Sequence, residues 1–169
     1  ANLKELINLA SASSSLIVFP EAELPYVYKS ANFKKFESDI NTDQTIVGGV
    51  WHLSEGNLYN SMVNFQSQQI YNKIHLVPFG EYIPFISSLR GLISFFDMPM
   101  SDVFKGKSNQ NPMVFDTQSL KKMAPLICFD IAFGNTVRKS NISSLFMVNI
   151  SNDTWFGKSI GPYQHLDIA

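Results

Sequence analysis

The sequence predicts a layered α/β fold, on two observations. Its short apolar strands read as buried on both faces, and strands alternate with helices through the second half. Its 169 residues, 45% of them hydrophobic, match one ordinary domain with a core of real size. No repeat, low-complexity tract, long charge run or linker-like stretch divides the chain.

Taken in order, Leu3, Leu6, Ile7 and Ala10 recur at helical spacing and predict an amphipathic helix over 3–10. A serine-rich turn then leads into a short apolar strand, 16–19. Residues 45–50 predict a second strand, whose Gly48 and Gly49 permit close backbone packing. That strand continues past Trp51 to a turn at Glu55-Gly56-Asn57, and 58–65 returns as its hairpin partner. A further strand is expected over 69–76, ending at Pro78-Phe79-Gly80-Glu81. Residues 82–100 are aromatic, proline-bounded and without clean period, which predicts a loop with a short helix. Strands follow at 114–116 and 122–128, a helix at 131–139, a strand at 145–150, and the first turn of another helix at 165–169.

The charge balance excludes one class of partner. Lysine and arginine number 13 against 14 acidic residues, so no positive field exists to attract nucleic acid. The longest apolar runs, such as 144–150, fall far short of the roughly 20 residues a bilayer-spanning helix needs. Cys128 is the only cysteine, which rules out an internal disulfide or a multi-cysteine metal site and leaves an inert or a reactive thiol. The chain opens without an initiating Met or a signal-peptide pattern and stops inside a helical turn, so both ends read as cut.

Three polar residues sit where strands end: Glu21 after Phe19-Pro20, Lys73 near His75, and Cys128 after Leu126-Ile127. In layered α/β folds such positions converge on one crevice. Together they would make an acyl-transfer site, in which the carboxylate takes the thiol proton and the thiolate attacks a carbonyl. The ammonium, with a backbone N–H at the start of the following helix, would then stabilise the oxyanion. Each residue alone has a plainer reading. A lone strand cysteine is most often packing, Glu21 could be a solvated loop charge, and an isolated lysine beside a strand usually snorkels to the surface. His75 and His165 have no spacing that fixes a metal or a triad.

Longer motifs add to this. Phe-Pro-Glu-Ala-Glu-Leu-Pro (19–25), Tyr-Asn-Lys-Ile-His-Leu-Val-Pro-Phe-Gly-Glu-Tyr-Ile-Pro (71–84), Leu-Ile-Cys-Phe-Asp (126–130) and Asn-Ile-Ser-Asn-Asp-Thr-Trp-Phe-Gly (149–157) resemble the apolipoprotein N-acyltransferase family, in that family's order. The resemblance continues through 95–101 and 159–165 and so covers nearly the whole chain. It implies a four-layer αββα nitrilase-like sandwich, incomplete at both ends, with the membrane helices of a parent protein outside these residues. It further implies Glu21 as general base, Lys73 as oxyanion-stabilising lysine, Cys128 as nucleophile and Glu81 as an additional active-site glutamate. Trp155, Pro84, Phe129 and Asp130 would shape the substrate site. The implied reaction needs no cofactor and no metal. A phospholipid donates its acyl chain to Cys128 as a thioester, and the α-amino group of a lipoprotein's diacylglyceryl-cysteine takes it, at the periplasmic face of the bacterial inner membrane. Where the family commonly has Cys-Tyr-Glu, this chain has Cys128-Phe129-Asp130, one hydroxyl fewer and an acid one methylene shorter. The alternative is a soluble nitrilase-like amidase using the same three residues, with water in place of the amine.

Overall fold

A computed structural model describes residues 7, 16–24, 26–38, 40, 44–78, 81, 103–116, 119–140, 142–156 and 159–168, apart from the side chains of 140, 155, 156 and 168. Two sheets form the centre. The first runs β1 (Leu16–Val18), β2 (Thr45–Ser54), β3 (Asn57–Asn64) and β4 (Ile70–Asn72), with β1 parallel to β2 and the rest antiparallel. The second runs β5 (Met113–Asp116), β6 (Lys121–Ile127) and β7 (Phe146–Ile150), with β5 antiparallel and β7 parallel to β6. The tight turn between β2 and β3 places Glu55 at φ 52° and Gly56 at φ 79°. Positive φ at both positions is the geometry a two-residue hairpin needs.

Strand alternation divides the side chains of the first sheet between two cores. On one face Ile46, Val50 and Val63 pack with Phe19, Leu24 and Tyr28, and with Phe33 and Phe36 of helix α1 (Ala31–Ser38). On the other, Val47, Met62 and Tyr71 meet Met113, Met123, Ile127 and Ile150 of the second sheet. Helix α2 (Gly134–Ser140) packs against β6. The order is therefore helix, sheet, sheet, helix, the expected four-layer sandwich.

Most expected strands form, and several elements differ in extent or kind from those expected. The strand foreseen over 69–76 stops at Asn72, where the Gln110 side chain takes the place of a neighbouring strand. Gln110 accepts from the Asn72 N–H at 2.8 Å and donates to its carbonyl at 2.6 Å. The strand foreseen through Cys128 ends at Ile127, and the helix foreseen over 131–139 is a 3-10 turn, Cys128–Ala132, followed after Phe133 by α2. Helix α1 has no counterpart in the sequence reading, although Ser30 caps it by accepting from the Phe33 N–H at 3.2 Å. The expected turn at 165–169 belongs to a longer helix, α3 (Gly161–Ile168). Ile7 is helical and buried; the rest of the helix expected over 3–10, and the aromatic loop expected over 82–100, lie outside the described residues.

Candidate active site

Glu21 follows β1 on a loop pinned to β2. The Phe19 N–H donates to the Val47 carbonyl at 2.8 Å, and the Gly49 N–H donates to the Pro20 carbonyl at 3.1 Å. A Cβ on residue 49 would lie 2.6 Å from both the Glu21 Cα and the Pro20 oxygen. Only glycine lets the loop lie this close. The result is a carboxylate just 3% exposed, on the face of the first sheet that meets the second.

Lys73 reaches the same place from the end of β4. Alternation puts it on the face of Tyr71, and its N–H donates to the Asn60 carbonyl at 2.8 Å. Its side chain is 1% exposed, a position no ammonium tolerates without anionic partners. It has two, with Nζ 2.9 Å from Glu21 Oε1 and 2.9 Å from Glu81 Oε2. Burial alone would drive the proton off. Glu21, then Glu81, overcome that and hold the lysine above its ordinary value.

Asn60, on β3, completes the cluster. Its single amide nitrogen donates to Glu21 Oε1 at 2.7 Å and to Glu81 Oε1 at 2.8 Å. The outer oxygens are held by backbone: the Asn152 N–H donates to Glu21 Oε2 at 3.1 Å, and the Val77 N–H to Glu81 Oε2 at 2.9 Å. Two carboxylates against one ammonium leave the cluster one net negative charge.

Cys128 stands at the sharp bend between β6 and the 3-10 turn, with φ at 48°. A left-handed conformation is costly for a residue with a Cβ, and such strain gathers at functional bends. The thiol is pushed up to about 11, by burial first and by Glu21 next, while Lys73 and the Ser151 hydroxyl pull the other way and Glu81 adds to the rise. At neutral pH it is therefore protonated, and the neighbouring charges are near enough to govern its acidity. Moving its proton to a carboxylate of the cluster leaves the net charge unchanged, which is the least costly way to make a thiolate in a buried site.

The structure thus brings together Glu21, Lys73, Glu81 and Cys128. Phe129 is half-buried, edge-on to Phe133 with ring centroids 5.2 Å apart. Asp130, expected to shape the substrate site, is 0% exposed, and both its oxygens accept hydrogen bonds from within the protein. It has no surface to offer a substrate. Pro84 and the side chain of Trp155 lie outside the described residues. The sequence reading missed Asn60, Ser151 and the backbone of Asn152. Alternation along β3 could have placed Asn60 opposite Trp51 on the inner face, yet an asparagine in a hairpin strand carries no sign that it faces two carboxylates.

Comparison with known proteins finds relatives along nearly the whole chain. The apolipoprotein N-acyltransferase of Pseudomonas syringae pv. tomato is 38% identical over 170 residues, covering 94% of this chain and 33% of its own length. That of Vibrio vulnificus is 35% identical, covering 92% and 33%, and that of Haemophilus influenzae is 35% identical, covering 98% and 34%. The chain thus spans about a third of the length of these relatives. The family model described as carbon-nitrogen hydrolase matches residues 1–169, and the chain belongs to that family.

Proposed function

We propose that the cluster is an acyl-transfer site with Cys128 as nucleophile, Glu21 as general base, Lys73 as oxyanion partner and Glu81 as the group that keeps Lys73 charged and in place. The observation that carries the reading is the Lys73 ammonium, 1% exposed between Glu21 and Glu81, beside the one thiol whose acidity those charges alter. The Cys128 proton passes to Glu21 as the sulfur attacks an ester carbonyl. The oxyanion forms against Lys73 and an N–H of the first turn after Cys128, where helix geometry supplies no internal partner. The carbonyl then re-forms, the leaving alkoxide takes the proton from Glu21, and a thioester remains. An amine attacks next, its proton goes to Glu21, and the thiolate departs and recovers that proton. Thioesters suit this halfway role because thiolate both attacks and leaves readily.

The relatives' name, apolipoprotein N-acyltransferase, supports acyl transfer to a nitrogen of an apolipoprotein, and within that class the proposed donor is a phospholipid and the proposed acceptor the α-amino group of a diacylglyceryl-cysteine. This chemistry belongs to lipoprotein biosynthesis, at the periplasmic side of the bacterial inner membrane. Among the described residues no helix is long and apolar enough to cross a bilayer. The reading assigns membrane attachment to the part of the relatives' length that this chain does not span. Phe129, with Trp155 and Pro84, is assigned to the walls around the acyl chain.

The test uses the full-length protein in detergent with phospholipid labelled in its acyl chain. The expected result is hydroxylamine-sensitive label on Cys128, absent in Cys128→Ala, that moves to a diacylglyceryl-cysteine peptide. If no thioester forms while small amides are hydrolysed, the transferase reading fails and the amidase chemistry described by the family's name replaces it.

A further inference from the structure

Asp130 is buried two residues after Cys128, and it touches the chain that flanks Lys73 as well as the chain that enters Cys128. Its Oδ1 accepts from the N–H groups of Ile74 at 3.2 Å and His75 at 2.7 Å, the two residues that follow Lys73. Its Oδ2 accepts from the Tyr71 hydroxyl at 3.0 Å, two residues before Lys73, and from the Ile127 N–H at 3.2 Å, the residue before Cys128. One carboxylate therefore ties the chain on either side of the lysine to the chain that enters the nucleophile bend. Lys73 comes from the first sheet and Cys128 from the second. Among the described residues, no other side chain hydrogen-bonds to the backbone flanking both.

We propose that Asp130 is a positioning residue that fixes the Lys73 ammonium against the Cys128 thiol, with Tyr71 as its side-chain partner. Burial pushes the Asp130 carboxyl above its ordinary value, and the donors from His75, Tyr71 and Ile127 oppose that rise at 0% exposure. The four donors make the link stiff, since swinging either segment away would strand a buried acceptor. The acid's short side chain suits this use, because its oxygens stay close to the bend that carries it. His75 adds a second tie on the far side, with its ring stacked on Phe133 at 3.6 Å and Nε2 2.7 Å from the Thr136 hydroxyl.

The sign of one measurement separates a role through Lys73 from a direct effect of Asp130's own charge on the thiol. Asp130 is not among the groups whose charge bears on the thiol, whereas Lys73 is, and Lys73 favours the thiolate. If Asp130 acted through its own negative charge, its removal would make Cys128 more acidic. Loosening Lys73 makes Cys128 less acidic. The experiment follows iodoacetamide alkylation of Cys128 in the full-length protein, by peptide mass, from neutral to alkaline pH. In Asp130→Asn the midpoint should move up and alkylation at a fixed neutral pH should slow about tenfold, as expected when the influence of a nearby cation weakens. Tyr71→Phe, which removes one donor and keeps the ring, should move the same way and slow the reaction ~2- to 3-fold. A lower or unchanged midpoint in folded Asp130→Asn overturns the proposal, even if that variant melts earlier. Should Asp130→Asn fail to fold, Tyr71→Phe decides by the same criterion. The inference rests on the active-site reading above only in taking Cys128 as the reactive group. Alkylation reads the thiol itself, so a failed acyl transfer together with an upward midpoint would sink the proposed reaction and leave the positioning role standing.

Discussion

Replacing Asn60 by Asp tests the charge arrangement of the cluster directly. The Asn60 amide donates to Glu21 at 2.7 Å and to Glu81 at 2.8 Å, so the substitution sets a third carboxylate against two that already share one ammonium. At an effective dielectric of about 20, two like charges about 4 Å apart repel by about 4 kcal/mol, which exceeds the roughly 1.5–3 kcal/mol of each lost charge-assisted hydrogen bond. Asn60→Ala loses only the hydrogen bonds. The introduced acid escapes the repulsion by keeping a proton, so its affinity for protons is higher folded than unfolded. Its contribution to stability is then greatest at low pH and falls as pH rises. Both variants should melt below the parent at pH 8, with Asn60→Asp lower than Asn60→Ala, and acidification toward about pH 4 should narrow the gap between them. Thermal melts at several pH values measure this. If the two variants track each other across the range, Asn60 does not face the carboxylates, and the charge count given for the site is wrong.

Lys73→Met strips the cation from two buried carboxylates and should cost about 3–5 kcal/mol in a denaturant titration, with acyl transfer lost. Gly49→Ala sets a Cβ 2.6 Å from backbone atoms of the Glu21 loop. It should destabilise by about 1–3 kcal/mol, and activity should fall further than an equally destabilising core substitution makes it fall. In the parent, alkylation of Cys128 should keep accelerating up to a midpoint near the value of about 11. A plateau near neutral pH would show a thiolate already formed in the resting site. The raised thiol also stabilises the fold: relative to Cys128→Ala, that contribution is complete below the ordinary thiol value and fades as pH rises through about 11, which alkaline melts would show.

What the sequence disclosed depended on how local the signal was. The β2–β3 hairpin was legible because its turn chemistry, Glu55-Gly56-Asn57, and its apolar flanks lie within one stretch of chain. That Glu21, Lys73 and Cys128 come together was legible because each follows an apolar strand and layered folds gather such ends, while each alone had a plainer reading and only the longer motifs around them singled them out. The end of β4 was not, because Asn72 is finished by the side chain of Gln110, from a distant segment. Helix α1 had a local signal, Ser30 followed by Phe33 and Phe36, and was still missed. The burial of Asp130 was beyond local reading, since all four of its donors come from other residues and three of them from the segment around Lys73.

The charges of the site constrain how its chemistry can begin. A thiol raised to about 11 beside a cluster of net negative charge rests protonated at neutral pH, so in the proposed reaction the lysine does not serve to keep the sulfur ionised between turnovers. Its value lies in the charge that develops later. In the proposed reaction the thiol proton moves to Glu21, the negative charge passes to sulfur and then to the carbonyl oxygen, and the total inside the site stays the same throughout. A fixed ammonium held between two glutamates can follow that migration without a counter-ion entering from water, which a buried site could not easily admit. The second carboxylate has its use here. In the proposed reaction a protonated Glu21 no longer holds Lys73 as an ion pair, and Glu81, 2.9 Å from Nζ, is the group that would keep the lysine charged and in place while the oxyanion forms. A triad with Glu21 alone would lose its grip on the cation at the moment the cation is needed. Glu81→Gln should therefore depress the rate of thioester formation in single-turnover assays more than it weakens substrate binding, and an effect confined to binding would show that Glu21 and Lys73 suffice.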